Sequence, residues 1–317
     1  MVTKKDIIGA REAIKDKVHY TPVFHSTILS KQCGYNLYMK AENLQKTGSF
    51  KIRGATNRLT NALNEGSLPG VITASSGNHG QAVAYVAQKA KVPCTVVMPE
   101  NAPQAKIDAA KNYGAEIIFC GTTSQERLDK AQKLANEKGH LYIPPYDHPH
   151  IIAGQGTIGL EILEQVSDVQ AVLVPIGGGG LLSGIVTAIK ESAPQVKVYG
   201  VEPQFSNSMY ISLQEGKITA RDTIDTIADG LRSKQPGDLT FPIVKKYVDD
   251  ILLVTDEEII KTMKLIMQYQ KLVVEPSGAT ATAAVLFNKL PSKYKTVTSI
   301  ISGGNIDFSR LASLITQ

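Results

Sequence analysis

The sequence predicts an α/β protein of two lobes, each a mainly parallel sheet flanked by helices. Two observations carry this: from about residue 71 short apolar runs alternate with helical patterns, and one proline-rich stretch interrupts the alternation midway. In order, VITA reads as a strand, GQAVAYVAQKA as a helix, CTVVMPE as a strand, APQAKIDAAKNYG as a helix, AEIIFCG as a strand, and a charged amphipathic stretch from Thr123 to Lys138 as a helix. Strands and helices taking turns at this spacing build right-handed βαβ units. HLYIPPYDHPH then breaks the pattern. Prolines at 144, 145 and 149 do not sit inside a central strand or helix, so this stretch is a crossing between lobes or a long loop. Beyond it AVLVPI, LLSGIVTAIKES and KVYGVEP restore the alternation. ILLVT, a helix from Asp256 to about Gln270, a helix through ATATAAVLFNKL and the strand TVTSIIS complete it, with no fixed-period repeat.

Of the 317 residues 43% are hydrophobic, enough for one large domain or two linked ones without disulfide staples. The net charge of +5 comes from 34 basic against 29 acidic residues with no basic block, which disfavours nucleic acid and suits small anionic ligands. Cys33, Cys94 and Cys120 are odd in number, far apart and without CxxC spacing, so neither a disulfide framework nor a zinc site is implied, and a reducing compartment fits. The N-terminus MVTKKDIIGAREAIKDK has no apolar stretch suited to a signal peptide, and no later segment approaches a membrane-spanning length; the reading is cytoplasmic.

Four stretches carry chemistry. In TGSFKIRGA (47–55) a lysine follows a phenylalanine and opens a helix; Lys51 is either an ordinary solvated residue or a nucleophile held in place. In AVLVPIGGGGLLSG a strand runs into four glycines and an apolar helix, an arrangement that turns backbone N–H groups toward an anion at a positive helix end. A triphosphate-binding loop needs Lys-Ser/Thr where Ile185-Val186 stand, so it is disfavoured. A dinucleotide site comes closer: Gly178-x-Gly180 is followed by Ser183, and Glu202 ends the next strand at the distance of a ribose-binding acid. TASSGNHGQAVA (73–84) again feeds a small-residue loop into a helix. Its hydroxyls, amide and N–H groups suit a substrate carboxylate, although SSGN is also an ordinary helix cap. IISGGNID (300–307) ends a strand in a serine that faces the ligand crevice of a parallel sheet, or in a plain turn.

A phosphate cradle, a carboxylate loop, a polar handle and a lysine are the parts of an enzyme that holds pyridoxal phosphate and acts on an amino acid. SFKIRGA, SSGNHGQA, GGGGLLSG, EPSGA and SGGNID, in this order, resemble the serine/threonine dehydratase and serine racemase family, the fold-type II pyridoxal-phosphate enzymes, over nearly the whole chain. The resemblance implies a cofactor cleft between the lobes, with residues 1–65 and 147–317 as the large cofactor-binding domain and 66–146 as a small mobile one. It implies that Lys51 is the Schiff-base lysine and Phe50 packs beside the pyridine ring. Asn78 meets the phenolic oxygen, Ser302 the ring nitrogen, and Gly177, Gly178, Gly179, Gly180 and Leu181 the phosphate, while Gly230 and Glu275 lie near the ring. Ser75, Ser76, Gly77 and His79 hold the substrate carboxylate, Arg127 reaching it on closure or else staying a solvated helix residue. The implied reaction is β-elimination from L-serine, L-threonine or 3-hydroxyaspartate to a 2-oxo acid and ammonia, with Lys51 taking the α-proton. Ser76 as an acid/base on the opposite face leaves serine racemisation open, and family members are usually homodimers.

The chain departs from the family in two places. Relatives hold a divalent cation through a Glu-Pro stretch with an aspartate six residues beyond the glutamate, whereas EPQFSNS has Glu202 in place and Ser208 at the aspartate position. Glu202 and the backbone oxygen of Ser206 are the expected ligands of Mg2+ or another cation, weakened by the missing carboxylate. Only Phe308 to Gln317 follow SGGNID, so the regulatory domain of biosynthetic threonine deaminases is not expected. A cysteine-synthase-like β-replacement enzyme, which carries Thr-Ser-Gly-Asn-Thr where this chain has Ser-Ser-Gly-Asn-His, and a NAD-binding protein are the rival readings.

Overall fold

The computed structural model describes residues 1–102 and 104–316. The strands are β1 (Val23–His25), β2 (Asn36–Ala41), β3 (Val71–Ala74), β4 (Cys94–Met98), β5 (Glu116–Phe119), β6 (Leu141–Tyr142), β7 (Ala171–Pro175), β8 (Lys197–Pro203), β9 (Asp250–Val254) and β10 (Thr296–Ile301). They form one sheet ordered β1-β2-β10-β7-β8-β9 and another ordered β5-β4-β3-β6. Every pairing is parallel except β1 with β2. β4, β7 and β10 are buried at every residue, as strands covered by helices on both faces must be. The chain thus lays down β1 and β2, leaves to build the smaller sheet, and returns through residues 143–148 to finish the larger one.

The proline stretch serves that return. Pro149 opens the helix Pro149–Gln165 at its first turn, where a missing N–H costs nothing, and His148 caps it. This helix crosses Lys51–Glu65 with backbones nearly touching: a Cβ added to Gly154 would lie 2.7 Å from the Cα of Gly54. Such close approach fixes the start of the lysine-bearing helix against the larger sheet.

Beneath the crossing lies a buried ionic network. Arg53, with a fully buried side chain, donates to Glu42 (2.8 Å), to Glu161 (2.5 Å) and to the hydroxyl of Thr157 (3.1 Å). Lys40, equally buried, donates to Glu161 (2.5 Å), Gln165 (2.8 Å) and the Thr21 carbonyl (2.7 Å). Two cations thus face two carboxylates with their donors satisfied, the condition under which buried charge is tolerated.

The strands and helices expected from residue 71 onward are present, with α helices at Ser124–Lys138 and Asp256–Gln270. One boundary moves: the helix expected through ATATAAVLFNKL begins earlier, at Pro276, behind Glu275.

Candidate active site

Lys51 is the first residue of the helix Lys51–Glu65. Its Nζ donates to the carbonyl of Pro145 at 2.7 Å and stands 5.2 Å from the centre of the Phe50 ring. Burial lowers its pKa to about 8, with the charge of Glu275 acting in the opposite sense. What aims this amine is backbone. Phe50 N–H donates to the carbonyl of Ser302 (3.1 Å), Gly304 N–H to that of Gly48 (2.9 Å), and Ser49 bridges Gly303. Gly48 has φ +71°, and a Cβ there would collide with the side chain of Asn305. The stretches TGSFK and SGGN, remote in sequence, are therefore one structure.

Asn305 continues the stitching, its Nδ2 donating to the Thr47 carbonyl (2.7 Å) and to Asn78 Oδ1 (2.8 Å). Asn78 in turn donates to Glu275 at 2.6 Å. Glu275 is buried, and its pKa is pushed up to about 8 by burial and then by the charge of Asp229. Ser302 Oγ donates to the carbonyl of Ser277 at 3.2 Å, and Ser277 Oγ accepts from the N–H of Gly230 at 3.0 Å.

Ser75, Ser76 and Gly77 connect β3 to the helix Asn78–Ala90, and Ser75 Oγ accepts from the N–H of Gly77 at 3.2 Å. His79 points its imidazole elsewhere. It is buried, its Nε2 lies 3.0 Å from the Ile143 carbonyl, and burial followed by the Lys51 charge lowers its pKa to about 3. A neutral ring bound to a carbonyl offers no cation to a carboxylate, so what His79 can present is its backbone N–H at the helix start.

β7 runs into Gly177, Gly178 and Gly179, and Gly180 and Leu181 begin the buried helix Gly180–Lys190. Among the described residues the N–H groups of Gly177, Gly178 and Gly179 donate to no backbone acceptor. The loop also leaves no room for side chains. A Cβ on Gly178 would lie 2.4 Å from the Tyr146 ring, and one on Gly177 would lie 3.2 Å from the Gly230 carbonyl. Free N–H groups at a helix start suit a phosphate dianion. The chain also offers a buried amine of lowered pKa, a serine hydroxyl at a strand end and a buried carboxyl of raised pKa, and this set of groups fits pyridoxal phosphate.

The sequence profile described as pyridoxal-phosphate dependent enzyme matches residues 14–303. The chain belongs to this family. This pyridoxal-phosphate enzyme is similar to three proteins of known name along nearly all of its length. An L-threonine ammonia-lyase of Thermotoga maritima is 46% identical over the whole chain and 79% of its own length. The L-threo-3-hydroxyaspartate ammonia-lyase of Saccharomyces cerevisiae is 44% identical over 99% of the chain and 96% of its own. The structure of maize serine racemase superposes with a TM-score of 0.95 at 38% identity, covering 99% of this chain and 97% of that one.

Not every expected residue joins the cluster. The guanidinium of Arg127 donates to the carbonyls of Thr122 (3.3 Å) and Thr123 (2.9 Å) at the start of its own helix. Both oxygens of buried Glu202 are engaged, by the N–H groups of Met209 (3.0 Å) and Tyr210 (2.8 Å), and burial pushes its pKa up to about 8. Glu202 thus serves the start of the helix Ser208–Glu215, a structural role that accounts for its burial without a ribose and weakens the case for a NAD site. Ser206 turns its hydroxyl to the Leu231 carbonyl at 3.0 Å. Among the described residues no group of three His, Cys, Asp or Glu side chains is placed to hold a metal.

The sequence reading missed Pro145, Tyr146, Ser277 and Asn305. Asn305 lies inside SGGNID, where a polar side chain after two glycines was the signal. Nothing in PPYDHPH announces that a carbonyl would receive the lysine.

Proposed function

We propose that this pyridoxal-phosphate enzyme is an ammonia-lyase that removes the β-hydroxyl of L-serine, L-threonine or 3-hydroxyaspartate and yields a 2-oxo acid and ammonia. The observation that carries the reading is Lys51, a buried amine of lowered pKa whose helix start is tied to the end of β10 and whose charge Glu275, itself bonded to Asn78, is near enough to influence. The names of the two ammonia-lyases, matched along nearly all of this chain, support the substrate class.

When bound, the cofactor supplies an electron sink for charge developing at the substrate α-carbon. Gly177, Gly178, Gly179, Gly180 and Leu181 would hold its phosphate, Asn78 its phenolic oxygen and Ser302 its ring nitrogen, with Phe50, Gly230 and Glu275 near the ring. A serine hydroxyl at Ser302, in place of a carboxylate, would supply the ring nitrogen with no negative charge to hold a proton there. Ser75, Ser76, Gly77 and the N–H of His79 bind the substrate carboxylate, and Lys51 takes the α-proton. Arg127 reaches that carboxylate only if residues 66–146 move as a small domain, the division this reading adopts. It further takes the enzyme as a homodimer in the cytoplasm; among the described residues no helix is long and apolar enough to cross a membrane.

Serine racemisation is a second reading, supported by the maize racemase and by Ser76, which could protonate the α-carbon on the face opposite Lys51. A panel of β-hydroxy amino acids, followed by 2-oxo acid and D-amino acid release, tests both. The expected result is 2-oxo acid from at least one of the three substrates, and any D-serine formed by wild type should fall about 10²-fold or more in Ser76→Ala while elimination persists. No 2-oxo acid from any of them overturns the lyase; no D-serine from wild type removes the racemase.

At Glu202 and Ser206 a divalent cation would meet one carboxylate whose oxygens already accept N–H bonds, so Mg2+ fits poorly. A chelator is expected to leave activity and melting temperature unchanged, and a fall in either would restore the cation.

A further inference from the structure

The glycine loop is held from outside by a residue that no motif contains. Thr240, fully buried at the start of the helix Thr240–Tyr247, donates its hydroxyl to the carbonyl of Gly178 at 2.7 Å and accepts from the N–H of Gly237 at 2.9 Å. The same Gly237 N–H also approaches the Gly178 carbonyl, at 3.3 Å. Thr240 is itself fixed on two sides: its N–H and that of Leu239 donate to Asp147 (3.2 and 3.0 Å), and its carbonyl accepts from Ser183 Oγ (3.3 Å).

A peptide unit is planar and trans, so the carbonyl of Gly178 and the N–H of Gly179 point in opposite directions. Pinning that carbonyl to Thr240 sends the Gly179 N–H away from Thr240. Gly179 completes the turn at φ +95°, a conformation that glycine adopts without strain, with Thr240 so near that a Cβ on Gly179 would lie 2.9 Å from its Cβ. We propose that Thr240 is a positioning residue for the cofactor phosphate: its hydroxyl fixes the Gly178–Gly179 peptide so that the Gly179 N–H is set for the anion before the cofactor arrives. This rests on the reading of the glycine loop as the phosphate cradle. A donor oriented in advance binds without the cost of ordering it.

The test compares pyridoxal phosphate with pyridoxal, which lacks the phosphate, by equilibrium dialysis against protein stripped of cofactor. Thr240→Val, which keeps the shape and loses the hydroxyl, is expected to weaken binding of pyridoxal phosphate about tenfold or more, and that of pyridoxal by less than about twofold. Thr240→Ser should stay within about threefold of wild type for both. Equal binding of pyridoxal phosphate by wild type and Thr240→Val overturns the proposal, as does an equal loss for both ligands, which marks a merely structural role. If Thr240→Val does not fold, Thr240→Ser against Thr240→Ala gives the same comparison. Wild-type protein that binds no pyridoxal phosphate would overturn the reading of the site itself, an outcome distinct from either.

Discussion

Lys51→Ala is expected to lower turnover of β-hydroxy amino acids by about 10³-fold or more and to abolish the yellow, borohydride-sensitive absorption of the purified protein. Both effects have one origin, because the amine that holds the cofactor is the group expected to move the α-proton. Lys51→Arg should fail as well, since a guanidinium keeps its proton at any working pH and can neither condense with an aldehyde nor act as a base. The lowered pKa adds a pH signature. An ordinary lysine titrates near 10.4, so its neutral fraction keeps rising through the alkaline range. With a pKa of about 8, Lys51 is neutral above that pH and protonated below it. Capture of pyridoxal phosphate by stripped protein should therefore accelerate as pH rises toward 8 and level off beyond it, with a slope of about tenfold per unit on the acid side. A Lys51→Ala protein that kept both colour and turnover would sink the assignment.

The largest loss of stability is expected from Arg53→Met. Methionine fills most of the space but leaves Glu42 and Glu161 buried with only Lys40 to answer them, and orphaning one side of a buried ion network costs about 3–5 kcal/mol. Unfolding in urea should report that loss as a lower midpoint. Adding Glu161→Gln to Arg53→Met should recover part of it, because one unanswered charge is then gone. Arg53 lies two residues beyond Lys51 on the same helix, so activity should fall together with stability. A change below about 1 kcal/mol would mean that water or rearrangement satisfies the carboxylates.

The α/β class and its element order were legible from residue 71 onward because strands such as AVLVP and CTVVM, buried on both faces, carry unbroken apolar runs that helical patterns separate. The motif order was legible because glycines and small polar residues at strand ends stand out against those runs. What escaped depends on distance through the chain. Glu42, Arg53 and Glu161 look like three surface charges until two helices and the turn after β2 bring them together. Glu202 has the spacing of a ribose acid, and only the helix that follows it claims both its oxygens. A backbone carbonyl such as that of Pro145 leaves no mark in a sequence at all.

The pairing of TGSFK with SGGN also bears on how the enzyme is made. The lysine is synthesised early, but the carbonyl of Ser302, the N–H of Gly304 and the amide of Asn305 that fix its surroundings follow it far along the chain. A nascent chain cut short before residue 296 has Lys51 and its helix yet lacks β10 and every one of those partners. Cofactor loading is therefore expected to wait until residues 296–305 have been made, and a product truncated before them would expose an amine with nothing to aim it.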